Sequence, residues 1–319
     1  MISIIIPNYN GFHHLKDCYD SLRIQNKGAD IRDFSIILID NKSDDDSVKF
    51  TKENYPEVHV IENTENTGFA KAVNSGIKYS LKNLNPEIII LLNNDTECDK
   101  NFLIEMKKGF AENDTGSVAC KMLNFTNRDV IDDTGDFIKK RGSPYARGHQ
   151  EKDTGQYDKP EFIFGACAGA SAYKSEVFKI TGFFDEDFFA YYEDVDFSLR
   201  LQLTGFKCFY NPKAIVYHKR GATTNSQTGY QTMQCEKNLI ALRLKNYPLP
   251  MLISNIPFFI LARVRRYFLF IYRDSFSVFF SAVNGYSKGI IESPRSLRKR
   301  KEIQKKISVS NEYLDSIFR

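Results

Sequence analysis

Four short polar clusters and one late histidine hold the side chains of this sequence that could do chemistry. They are Asn8-Tyr9-Asn10, Asp40-Asn41, Asn93-Asn94-Asp95, Glu193-Asp194 and His218. Carboxylates and imidazoles are ligands for Mg²⁺ or Mn²⁺, and a positioned carboxylate can take a proton from a reacting hydroxyl. Few basic residues accompany the clusters. A cleft built from them therefore suits a diphosphate-bearing ligand together with a divalent cation that compensates its charge. Other chemistries lack their signatures. No G-x-G-x-x-G follows the first apolar run, no G-x-x-x-x-G-K-[ST] occurs, and G-x-S-x-G is missing. These absences argue against dinucleotide, P-loop and α/β-hydrolase enzymes.

Elements that could position the clusters follow from the apolar pattern. Short runs at Ile2–Ile6, Phe34–Ile39, Val58–Ile61 and Ile88–Leu92 read as strands, with helical stripes between them such as Phe69, Val73, Ile77 and Leu81. Continuous apolar runs alternating with helices predict a mostly parallel sheet covered on both faces, an open α/β fold. Ligands bind such sheets at the carboxyl ends of the strands, where three of the clusters stand. Ordinary turn chemistry also places Asn and Asp there. The polar stretch 124–160 reads as a loop or hairpin over the cleft, a lid. The segment Phe162–Tyr173 reads as a packed pocket wall, and Lys207–Tyr210 and Ala214–Tyr217 as two short strands leading to His218.

The chain has 319 residues, of which 42% are hydrophobic and 26% charged, and a net charge of +4. That composition excludes disordered, fibrous and polytopic membrane classes. The charge is uneven. From Leu261 onward there are 13 Lys/Arg against 5 Asp/Glu, and ten aromatics lie between Phe258 and Tyr286. The tail reads either as a helical region lying on an anionic membrane surface or as helices packed on the rest of the molecule. No nucleic-acid motif accompanies the charge. The apolar stretch Pro248–Ala262 is too short to span a bilayer, and Pro250 and Pro257 interrupt it. Ile2–Ile6 is too short for a leader peptide. The six cysteines form no C-x-x-C pair and read as reduced thiols. The expected location is cytoplasmic, peripheral at the inner face of the cell membrane.

At this point the residues carry a resemblance. Ile4-Ile5-Ile6-Pro7-Asn8-Tyr9-Asn10, Ile39-Asp40-Asn41, Asn66-Thr67-Gly68-Phe69-Ala70, Leu91-Leu92-Asn93-Asn94-Asp95, Gly182-Phe183-Phe184-Asp185-Glu186 with Glu193-Asp194-Val195-Asp196, and Val216-Tyr217-His218 resemble an inverting family 2 glycosyltransferase of the GT-A fold. The likeness is to bacterial rhamnosyltransferase-like enzymes of surface polysaccharide assembly, and it covers Ile2 to Gly221. It implies a GT-A domain over 1–225, with a nucleotide-binding half (1–120) and an acceptor-side half (121–225), followed by a helical region over 226–319.

The resemblance also implies roles. Pro7, Tyr9, Asn10, Asp40, Asn66, Gly68, Asn94 and Asp95 would line the nucleotide-sugar site, with Asp40 accepting from the base. Asp95 and His218, with Asn93, would hold a Mn²⁺ or Mg²⁺ ion. Asp194, or Glu193 beside it, would be the general base. The donor would be a dTDP- or UDP-sugar and the acceptor a glycan or polyprenyl-linked hydroxyl. One departure is that Asn93 replaces the first acid of the family's Asp-x-Asp; a neutral amide binds a cation more weakly, so more falls on Asp95 and His218. Each residue also has a structural reading. Asp40 could cap a helix, Asp95 could sit in a turn, Glu193-Asp194 could open a helix, His218 could be a satisfied core histidine, and Asp185 could fix its own turn. Two rivals stand beside transfer: a catalytically inactive binding protein on this scaffold, and a sugar-1-phosphate nucleotidyltransferase. The latter wants a basic Gly-rich loop after the first strand, which Pro7-Asn8-Tyr9-Asn10-Gly11 is not.

Overall fold

The computed structural model describes residues 1–25, 34–139, 141–219 and 228–318. In chain order the strands are β1 (Ile2–Asn8), β2 (Phe34–Asp40), β3 (His59–Glu62), β4 (Ile88–Leu92), β5 (Thr96–Cys98), β6 (Thr115–Asn124), β7 (Ile131–Asp133), β8 (Asp136–Ile138), β9 (Pro144–Ala146), β10 (Glu161–Ile163), β11 (Ala170–Lys174) and β12 (Lys207–His218). The helices are α1 (Phe12–Arg23), α2 (Ser47–Asn54), α3 (Gly68–Asn83), α4 (Phe102–Lys108), α5 (Val177–Ile180), α6 (Glu193–Leu203), α7 (Thr228–Asn246), α8 (Leu249–Leu269), α9 (Phe276–Lys305) and α10 (Asn311–Ile317).

One sheet organises the molecule, in the order β10-β12-β6-β11-β4-β1-β2-β3. β3, β2, β1 and β4 run parallel, and β11 enters antiparallel between β4 and β6. The isoleucine-rich strands sit in its centre because both faces are covered. Ile4 and Ile6 pack with Leu15, Tyr19, Phe102 and Met106 on one side. Ile5, between them, packs with Val73, Ile77 and Phe197 on the other. α3 lies close to the sheet at Gly76, where an added Cβ would come within 2.7 Å of Ile5.

Two sequence expectations change in detail. Lys207–Tyr210 and Ala214–Tyr217 are one strand, β12, broken by a register shift between Asn211 and Ile215. Pro212 lies at the break; lacking an N–H, it cannot continue the ladder, and a bulge absorbs it. The boundary expected at 225/226 lies outside the described residues, and the line at 120/121 falls within β6. The 124–160 stretch contains the short strands β7, β8 and β9.

The tail packs on the rest of the molecule through charge as well as apolar contact. Leu239 and Leu242 of α7, Tyr247 just after it and Leu314 of α10 join Phe188, Val195 and Leu199 in one core cluster. Asp185 forms ion pairs with Lys245 of α7 and Lys299 of α9, and its Oδ1 accepts from the Asp187 amide at 3.1 Å. Asp185 therefore does fix its own turn, and it also clamps the C-terminal helices. Burial opposes its ionisation, but the two ammonium groups outweigh that and hold its carboxyl far below the usual range. Its folded pKa is depressed, so its contribution is complete above about pH 4 and is lost as pH falls below that. Asp185→Ala removes one of the two carboxylates paired with Lys245, whose side chain is 2% exposed and which keeps Asp196 at 2.8 Å, and should cost about 1.5–3 kcal/mol. Urea denaturation at pH 7 and pH 3 measures this: the gap between wild type and Asp185→Asn should narrow at the lower pH.

Candidate active site

The ends of β1 and β2 lie side by side, with Asn8 in register with Asp40. Asn8 Nδ2 donates to Asp40 Oδ1 at 3.0 Å. Ser43 donates its amide and its hydroxyl to the same carboxylate, at 2.9 and 2.6 Å. Asn94 Nδ2 donates to Asn8 Oδ1 at 2.6 Å, which joins the β4 end to this network. Asn10 takes a left-handed backbone, φ 51°. Its amide donates to Ser43 Oγ and its side-chain oxygen accepts from the Asp44 amide. Tyr9 is 40% exposed beside them. Three strand-end loops are thus tied together by polar side chains, beyond what turns alone require.

A second knot holds the loop before α3. Asn41 donates to Asn66 Oδ1 at 3.0 Å and to the Gly68 carbonyl at 3.2 Å, and accepts from Asn63 and Thr67. Gly68 has φ +77°, and an added Cβ would sit 2.6 Å from the Phe189 ring. Only glycine suits both demands. The Ala70 amide donates to the Phe189 carbonyl at 3.2 Å, so this loop abuts the segment leading to Glu193-Asp194.

On the far side, β5 pairs with β12 so that Thr96 faces His218. Asp95 and His218 thereby meet, with Oδ1 and Nε2 3.2 Å apart. The other ring nitrogen, Nδ1, lies 2.7 Å from Asp132 Oδ2. Burial disfavours a charged His218, but the bonds to Asp132 and Asp95 outweigh it and raise its pKa to about 9. Burial likewise opposes the charge of Asp95, and the hydrogen bond from His218 reverses this, leaving its pKa below the ordinary value. His14 and Lys219 also act electrostatically near Asp95, and Lys219 Nζ pairs with Asp17 at 2.5 Å. Asn93 engages through its backbone: its amide donates to the Gly169 carbonyl at 2.8 Å and its carbonyl accepts from Thr96 Oγ1 at 2.6 Å.

The donor set fits a divalent cation that also binds its substrate. Two ligands at right angles on an ion with bonds of about 2.1 Å stand about 3 Å apart, as Asp95 and His218 do. Two carboxylates converge on one imidazole here, an excess of negative charge that a cation neutralises. Among the described residues no group of three or more His, Cys, Asp and Glu has metal-binding geometry. Asp95 and His218 could supply two ligands to such an ion, with phosphate oxygens and water able to supply others, as is common for Mg²⁺.

Glu193 and Asp194 open α6 and diverge, as neighbours on a helix must. Asp194 Oδ1 accepts from the Val195 amide at 2.8 Å and Oδ2 from the Ala168 amide at 3.2 Å. Ala168 precedes Gly169, the residue bonded to Asn93, so Asp194 is anchored next to the turn that carries Asp95. Glu193 is 6% exposed, and its Oε2 has no hydrogen-bond partner among the described residues. Burial raises both carboxyl pKa values. Glu193 lies well above the usual range, pushed further by Asp194, while the backbone amides of Ala168 and Val195 oppose the rise for Asp194. Asp194 is the one suited to be an ionised, basic carboxylate.

The loop before them is strained. Phe189, Tyr191 and Tyr192 have φ of 63°, 70° and 66°, at roughly 1–3 kcal/mol each. Asn238 of α7 holds it by donating to the Phe188, Ala190 and Tyr191 carbonyls at 3.0, 2.9 and 2.7 Å. The sequence reading did not find Asn238, Ser43, Asp132, His14 or Lys219. Ser43 lies three residues past Asp40 in a turn-forming stretch, a weak signal; the others carry none.

A family model described as Glycosyl transferase family 2 matches residues 3–181, more than half of the chain. The chain belongs to glycosyl transferase family 2. Similar proteins include the low-salt glycan biosynthesis hexosyltransferase Agl10 of Haloferax volcanii, 26% identical over 62% of this chain and 61% of that protein. The poly(ribitol-phosphate) beta-glucosyltransferase of Bacillus spizizenii is 30% identical over 40% of this chain. The alignments span 61% and 20% of the lengths of these two relatives. Among solved structures, S. aureus TarS 1–349 aligns with 96% of this chain and 86% of its own, with TM-score 0.58 and 14% identity. The mannosyltransferase PcManGT of Pyrobaculum calidifontis, crystallised with GDP-Man and Mn²⁺, aligns with 96% of this chain and 85% of its own, with TM-score 0.55 and 14% identity. These likenesses establish the GT-A fold for this family 2 chain.

Proposed function

We propose that the protein transfers a hexosyl group with inversion from a nucleoside-diphosphate sugar, a dTDP- or UDP-sugar, to a hydroxyl of a glycan or polyprenyl-linked acceptor. One observation carries this reading: the Asp194 carboxylate is anchored to Ala168, beside the turn that brings Asp95 to His218. In this reading a base and a cation-binding pair stand on either side of the same turn. Asp40, Asn66, Gly68 and Asn94, with Pro7, Tyr9 and Asn10, line the nucleotide side. Asp95 and His218, with Asn93, would hold Mn²⁺ or Mg²⁺. When bound, the ion neutralises charge developing on the leaving diphosphate. Asp194 takes the proton of the attacking hydroxyl, and that oxygen displaces the diphosphate from the opposite face in a single step. Glu193, neutral and buried, shapes the pocket. Proton NMR of the first product formed tests the stereochemistry. Inversion at the anomeric carbon is expected, and retention overturns the reading.

The likeness to rhamnosyltransferase-like enzymes supports a place in surface polysaccharide assembly, in the cytoplasm at the inner face of the membrane. Among the described residues no helix is long and apolar enough to cross a membrane. α8 nevertheless presents an apolar stripe outward: Ile253, Ile256, Ile260, Leu261, Val264 and Phe268 are exposed at helical spacing. Its inner face is mixed: Met251, Leu252 and Phe259 pack into the core cluster that holds Leu239 and Leu242, and Arg263 and Arg266 pair with the buried Glu236. Exposed Arg265, Arg273 and Lys288 accompany the stripe. An outward apolar face with cations near it suits the interface of an anionic bilayer. The protein should co-sediment with vesicles containing anionic lipid at low salt and release as salt is raised. Changing Ile253 and Leu261 to Glu should abolish binding without loss of fold. Failure of the wild type to sediment at low salt overturns the membrane role.

A further inference from the structure

Asp132 belongs to none of the sequence motifs. It lies in β7, within the stretch read as a lid, and 86 residues separate it from His218. It is nonetheless 5% exposed, and its Oδ2 sits 2.7 Å from His218 Nδ1. Both partners are held by their backbones. β7 pairs with β6 through Ile131 and Asp133, and the Gln150 amide donates to the Ile131 carbonyl at 2.9 Å. His218 pairs with Thr96 on one side and Asn124 on the other. His149 borders the same carboxyl group, with Nδ1 3.5 Å from Asp132 Oδ1 and 2.9 Å from its backbone carbonyl.

An imidazole can ligate a cation through either nitrogen, and the nitrogen that ligates must carry no proton. A carboxylate that accepts the Nδ1 proton settles both matters: it fixes the ring's orientation and leaves Nε2 as the free donor. Nε2 is the atom that faces Asp95. We propose that Asp132 is a positioning residue that orients His218 so that Nε2 and the Asp95 carboxylate bind one divalent cation. The inference rests on the cation-binding reading of Asp95 and His218. It makes the 124–160 stretch part of the cation site, although no ligand comes from it.

The test is titration of the purified full chain with Mn²⁺, following the electron paramagnetic resonance signal of the free ion, with near-ultraviolet circular dichroism confirming fold. Loss of such an outer partner weakens metal binding about 10- to 100-fold. Asp132→Ala should approach the upper end. Asp132→Asn keeps the shape and an acceptor oxygen, so it should fold where Ala does not and fall near the lower end. The deciding measurement is the pair of changes together. In a His218→Ala background Asp132→Asn should alter Mn²⁺ affinity less than about twofold, because nothing remains to orient. Wild-type affinity in both Asp132 variants, or an Asp132→Asn effect that persists undiminished without His218, overturns the proposal. If His218→Ala weakens binding and the Asp132 variants do not, only the positioning role falls. If His218→Ala binds Mn²⁺ like the wild type, the cation-binding reading itself is wrong.

Discussion

Asp194→Asn is expected to lower turnover by about 10² to 10⁴ while leaving nucleotide affinity nearly unchanged. The substitution preserves the shape and an oxygen for the Ala168 amide, but removes the proton acceptor. Donor binding survives because the base acts on the acceptor hydroxyl. Glu193→Gln should do far less, since burial keeps that carboxyl protonated and a neutral amide of the same shape replaces it. The pH profile adds a second check. Burial lifts the Asp194 pKa above its ordinary value, so kcat/KM should fall on the acid side at a pH above about 4, where an ordinary Asp would titrate. Steady-state kinetics of both variants with a fixed donor decide the matter. Near-normal turnover in Asp194→Asn with loss in Glu193→Gln would assign the base to the other carboxylate.

Asp95→Ala is expected to abolish measurable transfer and metal-dependent nucleotide binding. Asp95 is 7% exposed and is the only carboxylate of its turn. Asn93 stands at the first acid position of the resembled Asp-x-Asp motif, so that position offers no charge to take over. The proposed nucleoside contacts at Asp40 and Asn66 lie in other loops and should hold a weak, metal-independent affinity. Isothermal titration with UDP or dTDP, with and without Mn²⁺, separates the two terms. In wild type the ion should strengthen binding; in Asp95→Ala the two titrations should coincide. Full wild-type activity in excess EDTA contradicts the cation-assisted account.

Much of the sheet was legible because its signals are local. Ile88–Leu92 is apolar throughout and Ile2–Ile6 is so apart from Ser3, a pattern that strands buried on both faces need. The strand-end clusters were legible for the same reason: Asn8, Asp40 and Asp95 each stand within about three residues of the end of an apolar run. The pairing of Asp95 with His218 was expected from the resemblance, and its geometry comes from β12 returning beside β5. Asp132 was not legible, because a lone acid in a polar stretch looks like any solvated residue until β7 folds back against β6. Asn238 was hidden similarly in a helix that reads as merely polar; the strained carbonyls it satisfies are about fifty residues away. The tail gave two readings because it has two faces. α7 and α9 use charge to pack inward on Asp185 and Asp196, while α8 turns its apolar side outward. Composition averages over such faces and cannot separate them.

The most direct test of the account is a screen of the wild-type chain against a panel of nucleoside-diphosphate sugars with Mn²⁺, reading melting temperature and released nucleoside diphosphate. At about 100 times Kd a ligand that binds only the folded state adds about 2.7 kcal/mol of stability, a clear upward shift. The account predicts that a dTDP- or UDP-sugar raises the melting temperature and is slowly consumed to nucleoside diphosphate, that EDTA removes both effects, and that Asp194→Asn keeps the shift and loses the turnover. A protein that ignores every nucleotide sugar in the panel, or that instead releases pyrophosphate from a nucleoside triphosphate and a sugar 1-phosphate, contradicts it.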